Sequence, residues 1–146
     1  MKLHLGCGKR HIPGFVHVDL ADFPHVDYRH DVRTLPMFED ESAELIYACH
    51  VLEYFDREEV EDVLAEWRRV LKPGGILRLA VPDFPVLARI YQFNEHLSTV
   101  LGPLYGRWEV EPGRIIYHCT VYDFDSLSGV LYEAGFRYVV RWDWRS

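Results

Sequence analysis

Between residues 56 and 83 the chain reads DREEVEDVLAEWRRVLKPGGILRLAVPD, and this stretch restricts the possible folds more than any other. Val60, Val63, Leu64, Trp67, Val70 and Leu71 recur at i, i+3, i+4, i+7 spacing, the pattern of one buried helix face, and Asp56 with Glu59 makes a capping-box start. Lys72-Pro73-Gly74-Gly75 stops that helix. Residues 76 to 83 are then almost continuously apolar, as in a strand covered on both sides within a parallel sheet. Because ELIYAC at 44–49 reads as the preceding strand, the unit is strand, helix, strand, with a right-handed crossover.

Residues 2–5, 15–19 and 25–31 are further short β-leaning runs that stop at Gly, Asp or His. Downstream, the pattern predicts a helix from after Asp83 to about Leu101 and then a loop rich in Gly, Pro and aromatics. A helix in DFDSLSGVLYEAGF follows, with Leu127, Val130, Leu131 and Ala134 on one face, and an alternating final strand over 136–144. The expected fold is α/β and Rossmann-like: a mostly parallel open sheet with helices on both faces. With 146 residues, 49% of them hydrophobic, a single domain spanning 1–146 can bury a core of its own.

A net charge of −7 argues against nucleic acid as a partner, because phosphate-backbone affinity comes from clustered cations. It favours a small uncharged or cationic ligand. No apolar run approaches the roughly 20 residues needed to span a bilayer, so no membrane association is expected. Cys7, Cys49 and Cys119 lie far apart with no paired spacing, and the N-terminus starts directly in a strand pattern, so reduced thiols, no metal and a cytoplasmic location are expected.

Ligands of open parallel sheets bind at the carboxyl ends of the strands. Gly6 to Gly8, Asp19, Asp31, Cys49-His50 and Asp83 all fall at such ends. The nicotinamide fingerprint fits poorly, since His11 stands where a third small residue is needed and the acid comes 11 rather than about 20 positions on. A P-loop fails outright, because position 3 is Leu and Arg10 replaces the metal-binding hydroxyl. What remains is a glycine turn without a diphosphate, acids ending two strands, and a polar pair ending a fourth.

That arrangement resembles the class I S-adenosylmethionine-dependent methyltransferases of the type 11 group, and most nearly the short bacterial members of unassigned substrate. The resemblance covers residues 2–83. LHLGCG looks like the first motif, HDVRTLPMFEDESAELIYACHVLEYF looks like the third-to-fourth-strand segment, and EWRRVLKPGGILRLAVPD is the most specific match. It implies S-adenosylmethionine as cofactor, with Gly6 and Gly8 lining the methionine moiety beside Leu5 and Cys7. Asp19, followed by Leu20, would accept from both ribose hydroxyls, Asp31 and Val32 would meet the adenine edge, and the backbone at Cys49 would face the methionine end.

The sequence departs from that pattern at His4, at Lys9-Arg10, and in a first crossover too short for a helix. No seventh strand is evident either, which leaves a final strand carrying Tyr138, Val140, Trp142 and Trp144 on one face and leads to the expectation of a homodimer. Residues 84–121 read as an excursion from the ligand face, a lid or substrate pocket. The expected activity is methyl transfer to a small-molecule acceptor, such as a sugar or another cell-surface precursor. His50 is the expected base, with Tyr54, Asp83, Tyr117 and His118 orienting the acceptor. The alternative is a non-catalytic Rossmann-like module for nucleoside binding or association.

Overall fold

The computed structural model describes residues 1–143. Five strands, β1 (Lys2–Leu5), β2 (Val16–Asp19), β3 (Tyr28–Arg29), β4 (Ala43–Cys49) and β5 (Leu71–Ala80), form one sheet in the order β3-β2-β1-β4-β5. Every pair in it is parallel. Leu3 sits beside Val16 and Ile46, and Leu5 beside Val18 and Ala48. These residues line one face, and a one-residue slip would turn all of them out of the core. On the opposite face His4 lies between His17 and Tyr47, with ring centroids 5.4 and 5.1 Å away.

The helix α1 (Val60–Val70) covers the first of these faces, burying Val60, Val63, Leu64, Trp67 and Val70. The capping box forms as the sequence implies: Asp56 Oδ1 accepts from the Glu59 amide at 3.1 Å, and Glu59 Oε1 from the Asp56 amide at 3.1 Å. Trp67 is fully buried, and its Nε1 donates to the Val32 carbonyl at 2.8 Å, fastening the helix to the segment after β3. Ala43 pairs with Leu71 and Leu45 with Ile76, so Lys72–Gly75 bulge from the strand before regular pairing resumes.

Four expectations change. The third strand is only two residues long, Tyr28–Arg29, because the chain on either side turns through loops. β5 ends at Ala80, and Asp83 instead makes an isolated parallel bridge with Tyr122. The single helix expected to Leu101 is two, α2 (Phe84–Asn94) and α3 (Ser98–Tyr105), because Glu95 adopts a left-handed conformation with φ 55° and ends the first. No strand forms over 136–143; Tyr138 takes φ 57°, which breaks an extended run. Trp144 lies outside the described residues.

The excursion continues from α3 into an antiparallel hairpin, β6 (Trp108–Glu111) and β7 (Arg114–Ile116), before α4 (Phe124–Glu133). A capping box between Asp123 and Ser126 starts α4. As the short spacing requires, no helix fills the connection from β1 to β2. Residues after α4 run alongside β5 without pairing to it, leaving a trough of about 1450 Å³ between them. Trp142 Nε1 reaches the Leu79 carbonyl across it at 2.8 Å.

Candidate active site

The carboxyl ends of β1, β2 and β4 open into a cavity of about 730 Å³, within the range of about 300–1,000 Å³ usual for small-molecule sites. Its base is the turn after β1. Gly6 and Gly8 have φ of 61° and 52°, a conformation that side chains resist, and a Cβ on Gly6 would strike the Val51 side chain. Glycine there brings the backbone itself to the cavity. Cys7, Lys9 and Arg10 complete the turn's share of the lining.

Asp19, at the end of β2, is 5% exposed. Its Oδ2 accepts from the Gly8 amide at 2.7 Å and its Oδ1 from the Ala21 amide at 2.8 Å. The carboxylate thus braces the glycine turn, and each oxygen keeps acceptor capacity for a further donor. Asp31, from the loop after β3, is held by Arg33, whose backbone amide meets Oδ1 and whose Nη1 meets Oδ2, both at 3.0 Å. Arg33 reaches on to Glu59 at 3.0 Å and lies over the Phe55 ring.

At the end of β4 the chain turns sharply at His50, which takes φ 56°. A single 3-10 turn, Leu52–Tyr54, follows and buries Glu53 completely. His50 Nδ1 lies 3.0 Å from Glu53 Oε1. That hydrogen bond to a carboxylate holds His50 above its ordinary pKa, against the lowering effect of its own burial. Tyr54 is raised too, first by burial and then by the Glu53 charge. Cys7 is pushed up to about 12 by burial and by Asp19, so its thiol is not a nucleophile near neutrality.

The hairpin β6–β7 roofs the cavity with Trp108, Val110, Arg114 and Ile116. Trp108 comes down over Gly8, 3.8 Å from where a Cβ would stand, and beside the Phe23 ring at 6.4 Å. Arg29 to Glu111, at 2.9 Å, ties the roof to the end of β3. Of these, only Trp108 stands out in the sequence, in an aromatic cluster with Tyr105 and Tyr117 that reads equally as core, and Pro112-Gly113 between alternating apolar residues is a hairpin signal.

The cavity brings together Gly6, Cys7, Gly8, Asp19, Leu20, Asp31, Val32, Cys49, His50 and Tyr54. Four expected site residues lie elsewhere. Leu5 is fully buried in the core because its side chain points to the helix-covered face. Asp83 lines the trough beside β5 and meets Arg141 at 3.3 Å, since the strand ends before reaching it. Tyr117 is half exposed and is not part of the cavity lining. His118 is outside the lining but packs edge-on against Tyr54, with centroids 4.7 Å apart. Glu53, which holds His50, could have been noticed as a lone acid within the apolar run VLEYF.

These residues fit S-adenosylmethionine: glycines that admit a close backbone approach, carboxylates with acceptor capacity, and no phosphate cradle. No group of three or more metal-ligating side chains converges among the described residues. No helix there is long and apolar enough to cross a membrane.

Residues 13–79 match the model of a methyltransferase domain, type 11. No curated protein matches the sequence. Among solved structures, a SAM-dependent methyltransferase of Thermotoga maritima, a possible histamine N-methyltransferase, superposes with a TM-score of 0.60 at 18% identity, over 94% of this chain and 64% of its own. A SAM-dependent methyltransferase of Archaeoglobus fulgidus gives 0.61 at 16%, over 93% and 60%. A complex of DhpI with SAM and HEP gives 0.57 at 16%, over 92% and 69%. The chain therefore spans under two thirds of the first two proteins. Its fold is that of the class I S-adenosylmethionine-dependent methyltransferases, and residues 13–79 carry the type 11 methyltransferase domain pattern.

Proposed function

We propose that this chain binds S-adenosylmethionine under the β6–β7 hairpin and transfers its methyl group to a small-molecule acceptor. The observation that carries this reading is the His50–Glu53 pair, 3.0 Å apart, at the rim of a cavity based on Gly6–Gly8 and flanked by Asp19 and Asp31. When bound, the cofactor supplies a methyl group already activated for in-line displacement. Asp19 and the glycine turn bind one end of it, and Asp31 and Val32 lie where the other end would rest. Trp108, Val110 and Ile116 keep water from the reacting atoms.

His50 donates its Nδ1 hydrogen to Glu53 and so turns an unprotonated Nε2 outward. That atom takes the proton from a hydroxyl or ammonium acceptor. The net charge of −7 and the cavity volume favour a small molecule over nucleic acid. Three free cysteines suit a reducing, cytoplasmic setting. A homodimer would form through the segment after α4, where Tyr138 and Val140 are exposed, and light scattering that gives a monomer at high concentration refutes that part.

One observation favours the second reading, a binding or association module without catalysis: both Asp19 oxygens already hold backbone amides. Thermal melting with S-adenosylhomocysteine tests the cofactor half of the proposal. At about 100 times its dissociation constant, a ligand specific for the folded state adds roughly 2.7 kcal/mol, several degrees for a domain of this size. A shift with NADH and none with S-adenosylhomocysteine overturns the proposal.

A further inference from the structure

Glu53 is fully buried, and two segments of the chain converge on it. From its own turn, His50 Nδ1 meets Oε1 at 3.0 Å. From the excursion, His118 Nε2 lies 3.8 Å from the same oxygen. The main chain repeats this convergence, since the Glu53 carbonyl accepts from the Cys119 amide at 2.8 Å and the Thr120 amide at 3.4 Å. The excursion is therefore docked on Glu53 by its backbone, with the His118 ring beside the carboxylate.

His118 is held tightly in that position. Its amide donates to the Tyr105 carbonyl at 2.7 Å, and its Nδ1 donates to the Pro103 carbonyl at 2.9 Å. Gly106, with φ 59°, presses on the ring so closely that any Cβ there would strike it. A carbonyl only accepts, so the Nδ1 hydrogen of His118 is committed to Pro103. The nitrogen it turns toward Glu53 is the one that gains a proton when the ring becomes an imidazolium.

We propose that Glu53 is a positioning residue shared by two histidines, through which docking of the excursion sets the proton affinity of His50. This rests on the reading of His50 as the base. The carboxylate fixes His50 with hydrogen on Nδ1 and the lone pair on Nε2. His118, delivered by residues 98–118, draws on the same carboxylate, and a proton on either histidine opposes a proton on the other. The remaining titratable groups facing Glu53 are Tyr54 on its own turn and Tyr122 beyond the excursion. The charge of Glu53 raises both phenols, after burial as the larger cause. They stay neutral near pH 7, which leaves the two imidazoles and one carboxylate to exchange charge.

Nitrogen-15 NMR of the histidine rings tests this without a methyl acceptor. In the parent protein, neutral His50 is expected as the Nδ1–H tautomer. Glu53→Gln should lower the His50 titration midpoint, because the carboxylate is the first cause of its being raised. His118→Phe, which preserves the ring packing on Tyr54, should raise it. An unchanged midpoint in Glu53→Gln overturns the positioning role, and an unchanged midpoint in His118→Phe overturns the sharing. If Glu53→Gln does not fold, the His118→Phe midpoint decides: no upward shift overturns the sharing. Adding S-adenosylhomocysteine to the same samples separates the two ideas: binding without coupling refutes only the sharing, and coupling without binding refutes only the methyltransferase reading.

Discussion

His4→Phe should remove most of the chain's sensitivity to mild acid. His4 stands in the middle of β1, 2% exposed, and its Nδ1 has no partner among the described residues. Burial lowers its pKa to about 4, assisted by repulsion from His17, Arg10 and His25. In the unfolded chain the ring takes its proton near 6.5. Between those two values the unfolded state binds more protons than the folded one, so stability declines as pH falls through that window, and the share linked to His4 is fully lost near pH 4. A difference of about 2.5 units at 1.36 kcal/mol per unit gives about 3 kcal/mol in total, and about 2 kcal/mol by pH 5. His17, lowered chiefly by burial, acts in the same direction. His50, raised by Glu53, acts in the opposite one: its contribution is complete below 6.5 and is lost as pH rises through its folded-state value. Urea denaturation of both proteins at steps from pH 7.5 to 5 isolates the His4 share, because the other groups cancel in the difference. The parent's advantage over His4→Phe should shrink by about 2 kcal/mol across that range. A difference that stays flat would mean that buried His4 charges as easily as in the unfolded chain.

Asp19→Ala should abolish S-adenosylhomocysteine binding in calorimetry, since each charged hydrogen bond lost is worth about 1.5–3 kcal/mol and the Gly8 amide loses its brace; the protein should still fold, and unchanged affinity refutes the ribose role. His50→Ala should slow methyl transfer about 100-fold or more while binding holds, measured once an acceptor is found. Equal turnover would leave alignment as the whole mechanism. Trp67→Phe should cost about 2–4 kcal/mol in urea denaturation, mostly from a buried Val32 carbonyl left without a donor at about 1–3 kcal/mol, and parent-like stability would contradict the burial of that bond.

The part of the fold that was legible in the sequence is the part whose periodicity and burial agree. Val60 to Val70 and the apolar run from Ile76 read correctly because one-sided and two-sided burial leave different patterns, while Leu71, expected on the helix face, opens β5. Phe136 to Trp144 alternates as a strand should, yet 136–143 do not pair with β5, because a left-handed residue at Tyr138 breaks the run and alternation alone does not reveal it. The break at Glu95 has the same cause, with no glycine there to announce it. In the cavity, the glycine turn and Asp19 were legible because topology dictates where strands stop. Glu53 was not, since burial of one acid beside two histidines depends on a contact 65 positions along the chain. Asp83 was misplaced by the three residues between the end of the apolar run and the end of the ladder.

The unequal anchoring of the helices sets how the native protein opens. α1 buries five side chains, whereas α2 buries only Leu87 and α3 only Val100, leaving Phe93 at 90% exposure. Amide hydrogen exchange in α2 and α3 therefore proceeds by detachment of the excursion alone, at a free energy well below that of global unfolding. β1 and β4 exchange only when the whole molecule opens. The excursion is expected to behave as a separate cooperative unit, and S-adenosylhomocysteine bound beneath its hairpin, as proposed, should slow exchange there first.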